Sequence, residues 1–207
     1  SYLDKAILLS VGTEATERAI KISRIYGESI SKGKNIIVGG EGNYHGKTLG
    51  AQMVGGQHTD KDWIGYLDPN MKHIPFPFPW ELDGFDGDGK DMFYSHLKLF
   101  EDQGVDLTKI AAFFVESFQG WGAIFYPVEY IKAMREWSIK NNTLLVFDEI
   151  QSGFGRTGKF FAYEHYDVDP DLVICGKGIS GSIPLSAVLG SEKLIELDPG
   201  YTSTHGG

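Results

Sequence analysis

Apolar residues in this chain fall into two patterns: short solid runs, and longer stretches in which they recur at helical spacing. Ala6 to Leu9 is a run of the first kind and predicts a strand. Past Ser10, Val11, Gly12 and Thr13, the residues Ala15, Ala19, Ile22 and Tyr26 recur at i, i+4, i+7 and i+11. They form one face of a helix for which Thr13 is the expected N-cap. Gly33 closes that helix, and Asn35 to Val38 predicts a second strand. From about Gly55 to Lys90 there is no period; the stretch is rich in Pro, Gly and aromatic residues and is expected to be one long irregular connection. Order returns with a helix over Asp91 to Gln103 and a strand over Ile110 to Val115 that ends at Glu116. Pro127 then starts a helix from Val128 to Lys140, with Tyr130, Ile131, Met134 and Trp137 on one face. Leu144 to Phe147, Leu172 to Ile174 and Ala187 to Gly190 complete the apolar runs. Strands alternating with helices predict an α/β fold, three-layer α/β/α with a mostly parallel central sheet.

Composition changes this picture little. The chain has 207 residues, 42% hydrophobic and 23% charged, which suits one large domain over residues 1–207. The net charge of -9, without a run of Lys and Arg, argues against nucleic acid as a partner. No apolar stretch reaches the roughly 20 residues that cross a bilayer, and no signal pattern opens the chain, so no membrane partner is expected. The single cysteine, Cys175, excludes an internal disulfide framework and reads as a buried, inert thiol in a reducing, cytoplasmic setting. The chain opens at Ser1 and stops at Gly206 and Gly207, so a segment of a longer polypeptide is expected.

Charge enters where apolar runs end. Leu144 to Phe147 runs into Asp148, Glu149, Ile150, Gln151, Ser152 and Gly153, and Leu172 to Cys175 runs into Gly176, Lys177 and Gly178. A carboxylate and an amine should therefore emerge at strand ends, where α/β proteins keep their chemistry. Either could be an ordinary strand-end group, and the two could form a plain salt bridge. They also suit a cofactor held by a carboxylate on one side and an amine on the other, and pyridoxal phosphate is such a cofactor. Gly12 and Thr13, between a strand and a helix start, offer an anion site or a simple turn. Neither the P-loop pattern nor G-x-G-x-x-G is present, so a nucleotide is not favoured. In the glycine-rich loop Gly39 to Gly46, Tyr44 could stack on a ligand, or Tyr44 and His45 could be a packed loop tip. The Asp/Gly run over residues 83–89 lacks the ligand order of a calcium loop, and no metal is expected there.

Taken together, these residues resemble the class III pyridoxal-phosphate aminotransferases of fold type I. The resemblance rests on Leu145 to Gly158 followed by Asp171 to Lys177, and on Gly12 to Ala15, Tyr44 to Gly46, Glu116 with Gln119 and Gly120, and Ser203 to Gly207. It covers nearly all of that family's large, cofactor-binding domain; the small domain is not in this chain. The resemblance implies that Lys177 carries the cofactor as an imine and that Asp148 pairs with the pyridine nitrogen. It implies that Tyr44 and Ile150 cover the two ring faces and that Gln151 bonds near the phenolic oxygen. Gly12 and Thr13 would cradle the phosphate, with His45 also at the cofactor. Glu116 would pair with a small-domain arginine and move aside for a dicarboxylate. Thr204 would reach the neighbouring subunit's phosphate, so at least a homodimer is implied. Two departures stand out: Val11 where serine is usual, and Trp121 where many members have glutamate.

The activity so implied is ping-pong transfer of an amino group from an amino acid or ω-amine donor to a keto acid. A racemase or epimerase, aminomutase or decarboxylase would use Asp148 and Lys177 equally well. A non-catalytic scaffold of the same fold would need neither.

Overall fold

A computed structural model describes residues 3–197 of the chain. Seven strands form one sheet: β1 (Lys5–Leu9), β2 (Ile36–Gly40), β3 (Met71–Ile74), β4 (Ile110–Glu116), β5 (Leu144–Asp148), β6 (Leu172–Cys175) and β7 (Ser186–Gly190). Their order across the sheet is β1-β7-β6-β5-β4-β2-β3. The strands from β3 to β6 run parallel, and β7 runs antiparallel to both β6 and β1. Every residue of β2, β4, β5 and β6 is buried, as expected of strands covered on both faces.

The helices supply the two covers. On one face lie α1 (Gly12–Ile30), the short α2 (Leu49–Val54) and α5 (Glu192–Ile195). Ala15, Ala19, Ile20 and Ile22 of α1 pack there on Ile37, Ala112, Phe114, Val146, Ile174 and Val188. On the other face are α3 (Gly89–Asp102) and α4 (Val128–Lys140), whose Phe93, Leu97, Ile131 and Met134 meet Val38, Phe113, Val115, Leu145 and Phe147. Alternate residues of each strand thus feed two separate cores, and the fold is three-layer α/β/α.

Two details depart from the sequence reading. The stretch expected to be wholly irregular contains β3, an edge strand pairing Met71 to Ile74 with Ile37 to Gly40. Its residues are only partly buried up to Ile74, so no solid apolar run announces it. Thr13 is not the N-cap of α1; that position is Val11, and the cap comes from inside the helix. The Glu14 carboxylate accepts hydrogen bonds from the Ser10 and Val11 N–H groups at 2.9 and 3.2 Å.

Strand order fixes where a crevice opens. The chain leaves β2 outward to β3, returns on the far side of β2 as β4, and continues away through β5 and β6. At such a switch point neighbouring connections diverge, leaving a gap at the carboxyl ends of the strands. The exits of β2, β4 and β5 therefore share one cleft.

Candidate active site

A cavity of about 400 Å³ occupies that cleft. Gly12 and Thr13 from α1, Tyr44 to Lys47 from the loop after β2, and Glu116 at the end of β4 line it. Asp148, Ile150 and Gln151 from the end of β5, and Lys177 just past β6, complete the wall. Nine of the ten residues singled out from sequence meet here; the tenth, Thr204, lies outside the described residues.

Asp148 is held in place. Its Oδ2 lies 2.8 Å from Nδ1 of the buried His45, and its Oδ1 accepts the Ile150 N–H at 3.0 Å. A carboxylate only accepts, so His45 donates from Nδ1. Nε2 of His45 is buried with no hydrogen-bond partner. His45 therefore stands behind Asp148 and steers it, more than it offers a surface of its own.

Opposite lies the first turn of α1. Its leading N–H groups have no partner within the helix, and the positive end of the helix dipole adds to their pull on an anion. Glu14 occupies only the N–H groups of Ser10 and Val11, leaving those of Gly12 and Thr13 at the cavity. The Thr13 hydroxyl is engaged elsewhere. Thr48 donates to Glu17 Oε1 at 2.5 Å, so Thr13 must donate to Thr48 Oγ1 at 2.8 Å. Thr13 offers an anion its backbone. Space at Gly12 is tight: a Cβ there would stand 2.8 Å from Cδ1 of Ile150, which would have to shift. Ile150 in turn lies against Gly176, where a Cβ would meet its Cγ2 at 3.2 Å.

Lys177 sits at the open side, exposed between Gly176 and Gly178. Among the described residues nothing covers its side chain enough to bury it. Its backbone has φ +41°, the left-handed region, which costs a non-glycine residue about 1–3 kcal/mol.

Glu116 is buried at 6% exposure beside Asp148, its register partner across β4 and β5. Burial is the main cause that pushes its carboxyl up to about 7; nearby Asp148 adds to the rise, and His45 opposes it. Both of its oxygens are engaged within the chain, Oε2 by the Tyr44 N–H at 3.0 Å and Oε1 by the Gly120 N–H at 3.2 Å. Any swing of this carboxylate would have to break both bonds to backbone.

The residue that sequence reading missed is Glu149. It is fully buried and accepts four hydrogen bonds: from Ser117 Oγ at 2.5 Å, Ser152 Oγ at 2.6 Å, Ala162 N at 3.1 Å and Tyr163 N at 2.7 Å. Burial raises its pKa and the four donors oppose the rise. It fixes the turn that aims Asp148, Ile150 and Gln151. Cys175, with its thiol pushed up to about 12 by burial, takes no part.

The family model for class-III aminotransferases matches residues 1–207. The chain belongs to that family. Among class-III aminotransferases and related transaminases, the acetylornithine aminotransferase of Vibrio cholerae is 34% identical over 211 residues, covering 100% of this chain and 47% of the relative. An (S)-enantioselective ω-transaminase from Thermomicrobium roseum superposes with a TM-score of 0.84 at 30% identity, covering 100% of this chain and 47% of the other. An amine transaminase from an uncultivated Pseudomonas species, solved in the PLP-bound (internal aldimine) form, gives 0.81 at 28% identity over 94% and 45%. The chain thus spans about half the length of the curated relatives it matches. Among the described residues, no helix is long and apolar enough to cross a membrane, and no cluster of side chains could hold a metal ion.

Proposed function

We propose that this chain is the cofactor-binding large domain of a cytoplasmic pyridoxal-phosphate-dependent aminotransferase. It would move an amino group from an amino acid or ω-amine donor to a keto acid. One observation carries the reading: a single cleft presents a buried, His45-backed carboxylate, unfilled N–H groups of a helix start, and a lysine amine. The fit to the cofactor is chemical. Gly12 and Thr13 would take its phosphate through backbone N–H groups, where no side chain at position 12 can intrude. Tyr44 and Ile150 supply flat and branched apolar surfaces for a ring, and Gln151 an amide for its edge.

When bound, pyridoxal phosphate supplies an electron sink for the carbon next to the donor's nitrogen. This chain's residues prepare and use that sink. Asp148, held in place by His45 Nδ1 and the Ile150 N–H, would pair with the protonated ring nitrogen. Lys177 is the amine that would attach the cofactor and, once displaced by the donor, would carry a proton between carbons as general base and acid. An amine serves as a base only when unprotonated, and desolvation favours that form. Exposed Lys177 lacks it here, so a second copy closing over the cleft is part of the proposal. Val11 and Tyr44, 46% and 43% exposed near the cleft, offer apolar contact for such a partner. Thr204 would reach the partner's phosphate site.

The test is optical. The whole protein with pyridoxal phosphate is expected to gain a visible absorption band that Lys177→Ala lacks, and that N-acetylornithine or an ω-amine bleaches until 2-oxoglutarate or pyruvate restores it. A wild type that stays colourless overturns the proposal.

A further inference from the structure

We propose that Glu116 is a positioning residue, a two-ended clasp that sets both sides of the ring site from the end of β4. This rests on the proposed reading of Tyr44 and Gln151 as ring contacts. One oxygen of Glu116 accepts the Tyr44 N–H at 3.0 Å, fixing the loop that carries the aromatic ring. The other accepts the Gly120 N–H at 3.2 Å. The carbonyl of that same Gly120 accepts from Nε2 of Gln151 at 3.2 Å. A single carboxylate thereby ties the loop after β2 to the turn that holds the Gln151 side chain.

Three further observations show the clasp to be built in. A Cβ on Gly120 would lie 2.8 Å from Glu116 Oε1, so any larger residue there would push the carboxylate out of its present position. Gln119 Nε2 donates to the Glu41 carbonyl at 2.8 Å, holding the same two segments together a second time. Glu116 also lies beside Asp148 in register, so the clasp is anchored to the strand end that carries the ring's charge partner. Around Glu116, the titratable groups that face it are His45, Asp148 and the Tyr126 phenol. No lysine or arginine does so among the described residues. Its oxygens are therefore held by peptide N–H groups and not by an ion pair.

The test compares wild type, Glu116→Ala and the isosteric Glu116→Gln in the whole protein. Amide hydrogen exchange in the cofactor-free state should speed at least tenfold at both Tyr44 and Gly120 in the alanine variant. In the glutamine variant, whose amide accepts through one oxygen only, it should speed at one of the two. Pyridoxal phosphate affinity should fall roughly tenfold, and the visible circular dichroism of the bound cofactor should change. Unchanged exchange at both amides in both variants overturns the clasp, as does cofactor bound with wild-type affinity and dichroism. A change confined to KM for a dicarboxylate acceptor would make Glu116 a gate and equally overturn it. If the wild type takes up no pyridoxal phosphate, the functional reading fails, and the exchange rates still decide whether Glu116 fastens the two segments.

Discussion

At the amino ends of the central strands, buried Lys34 donates to the Thr108 and Asn141 carbonyls at 3.2 and 3.1 Å and to the Thr143 hydroxyl at 3.3 Å. Beside it, Asp171 takes two bonds from Arg135, at 2.6 and 3.2 Å, and a third from the Leu145 N–H at 2.8 Å. At the carboxyl ends of the same strands, Glu116, Asp148 and Glu149 crowd together with His45 as their nearest basic group. His45 keeps an unpartnered nitrogen, and Lys177 stands in solvent on a strained backbone. One end has satisfied its charged groups, and the other leaves the His45 nitrogen and the Lys177 amine open. Satisfied groups hold strands together; the open ones keep free energy available for a ligand.

Substitutions at the two ends should separate these roles. Lys177→Ala is expected to lower the proposed amino transfer by at least about 10³-fold, since on that proposal it removes both the attachment point and the proton carrier. Its thermal stability should change by no more than about 0.5 kcal/mol, because the side chain is exposed. Lys177→Gly, which also relieves the left-handed backbone, should be no less stable than wild type. A large stability loss in either variant would erase the contrast between the ends.

Glu149→Gln comes next. Its NH2 would face two of the four donors, either Ser117 and Tyr163 or Ser152 and Ala162, and about 3 kcal/mol of unfolding free energy should be lost. Denaturant melts measure this directly. Glu149 lies at the open end yet behaves like the closed one, so the boundary between stability and function runs between adjacent residues, Asp148 and Glu149. Lys34→Met should cost about 2 kcal/mol by removing its three hydrogen bonds to the Thr108 and Asn141 carbonyls and the Thr143 hydroxyl, while pyridoxal phosphate affinity stays at the wild-type value. A fall in affinity there would mean that the two ends are coupled.

The smallest effect is a pH dependence. Glu116 is raised from the ordinary 4.5 to about 7, so the folded state favours its protonated form. That contribution to stability is whole below pH 4.5 and is lost as pH rises through about 7. Thermal melts of cofactor-free protein should show this loss, and Glu116→Gln should flatten it.

Much of the fold was legible because strands buried on both faces read as solid apolar runs, as Phe113 to Val115 and Leu144 to Phe147 do. β3 was hidden by its partial burial as an edge strand, and α2 by its six residues. Within the site, Asp148, Lys177 and the Gly12 turn stood out because charge and glycine interrupt apolar runs. The roles of Glu149, Lys34 and His45 were illegible for the opposite reason. Their partners come from distant segments, as His45 meets Asp148 across 103 positions, and no local pattern marks such a meeting. The capping of α1 misled for a local reason, since Glu14 reaches back to do what a side chain at the helix start usually does.

The pairing of β1 with β7 sets the order of assembly. Lys5 to Leu9 lie opposite Ser186 to Gly190, and the Ser186 hydroxyl donates to the Val11 carbonyl at 2.7 Å, immediately before the helix start that faces the cleft. β1 must therefore wait for β7, a loop closure across nearly the whole described chain. During synthesis the central parallel strands can emerge and pair while β1 is still without a neighbour. The turn at Gly12 and Thr13 is then completed late, after the arrival of β7.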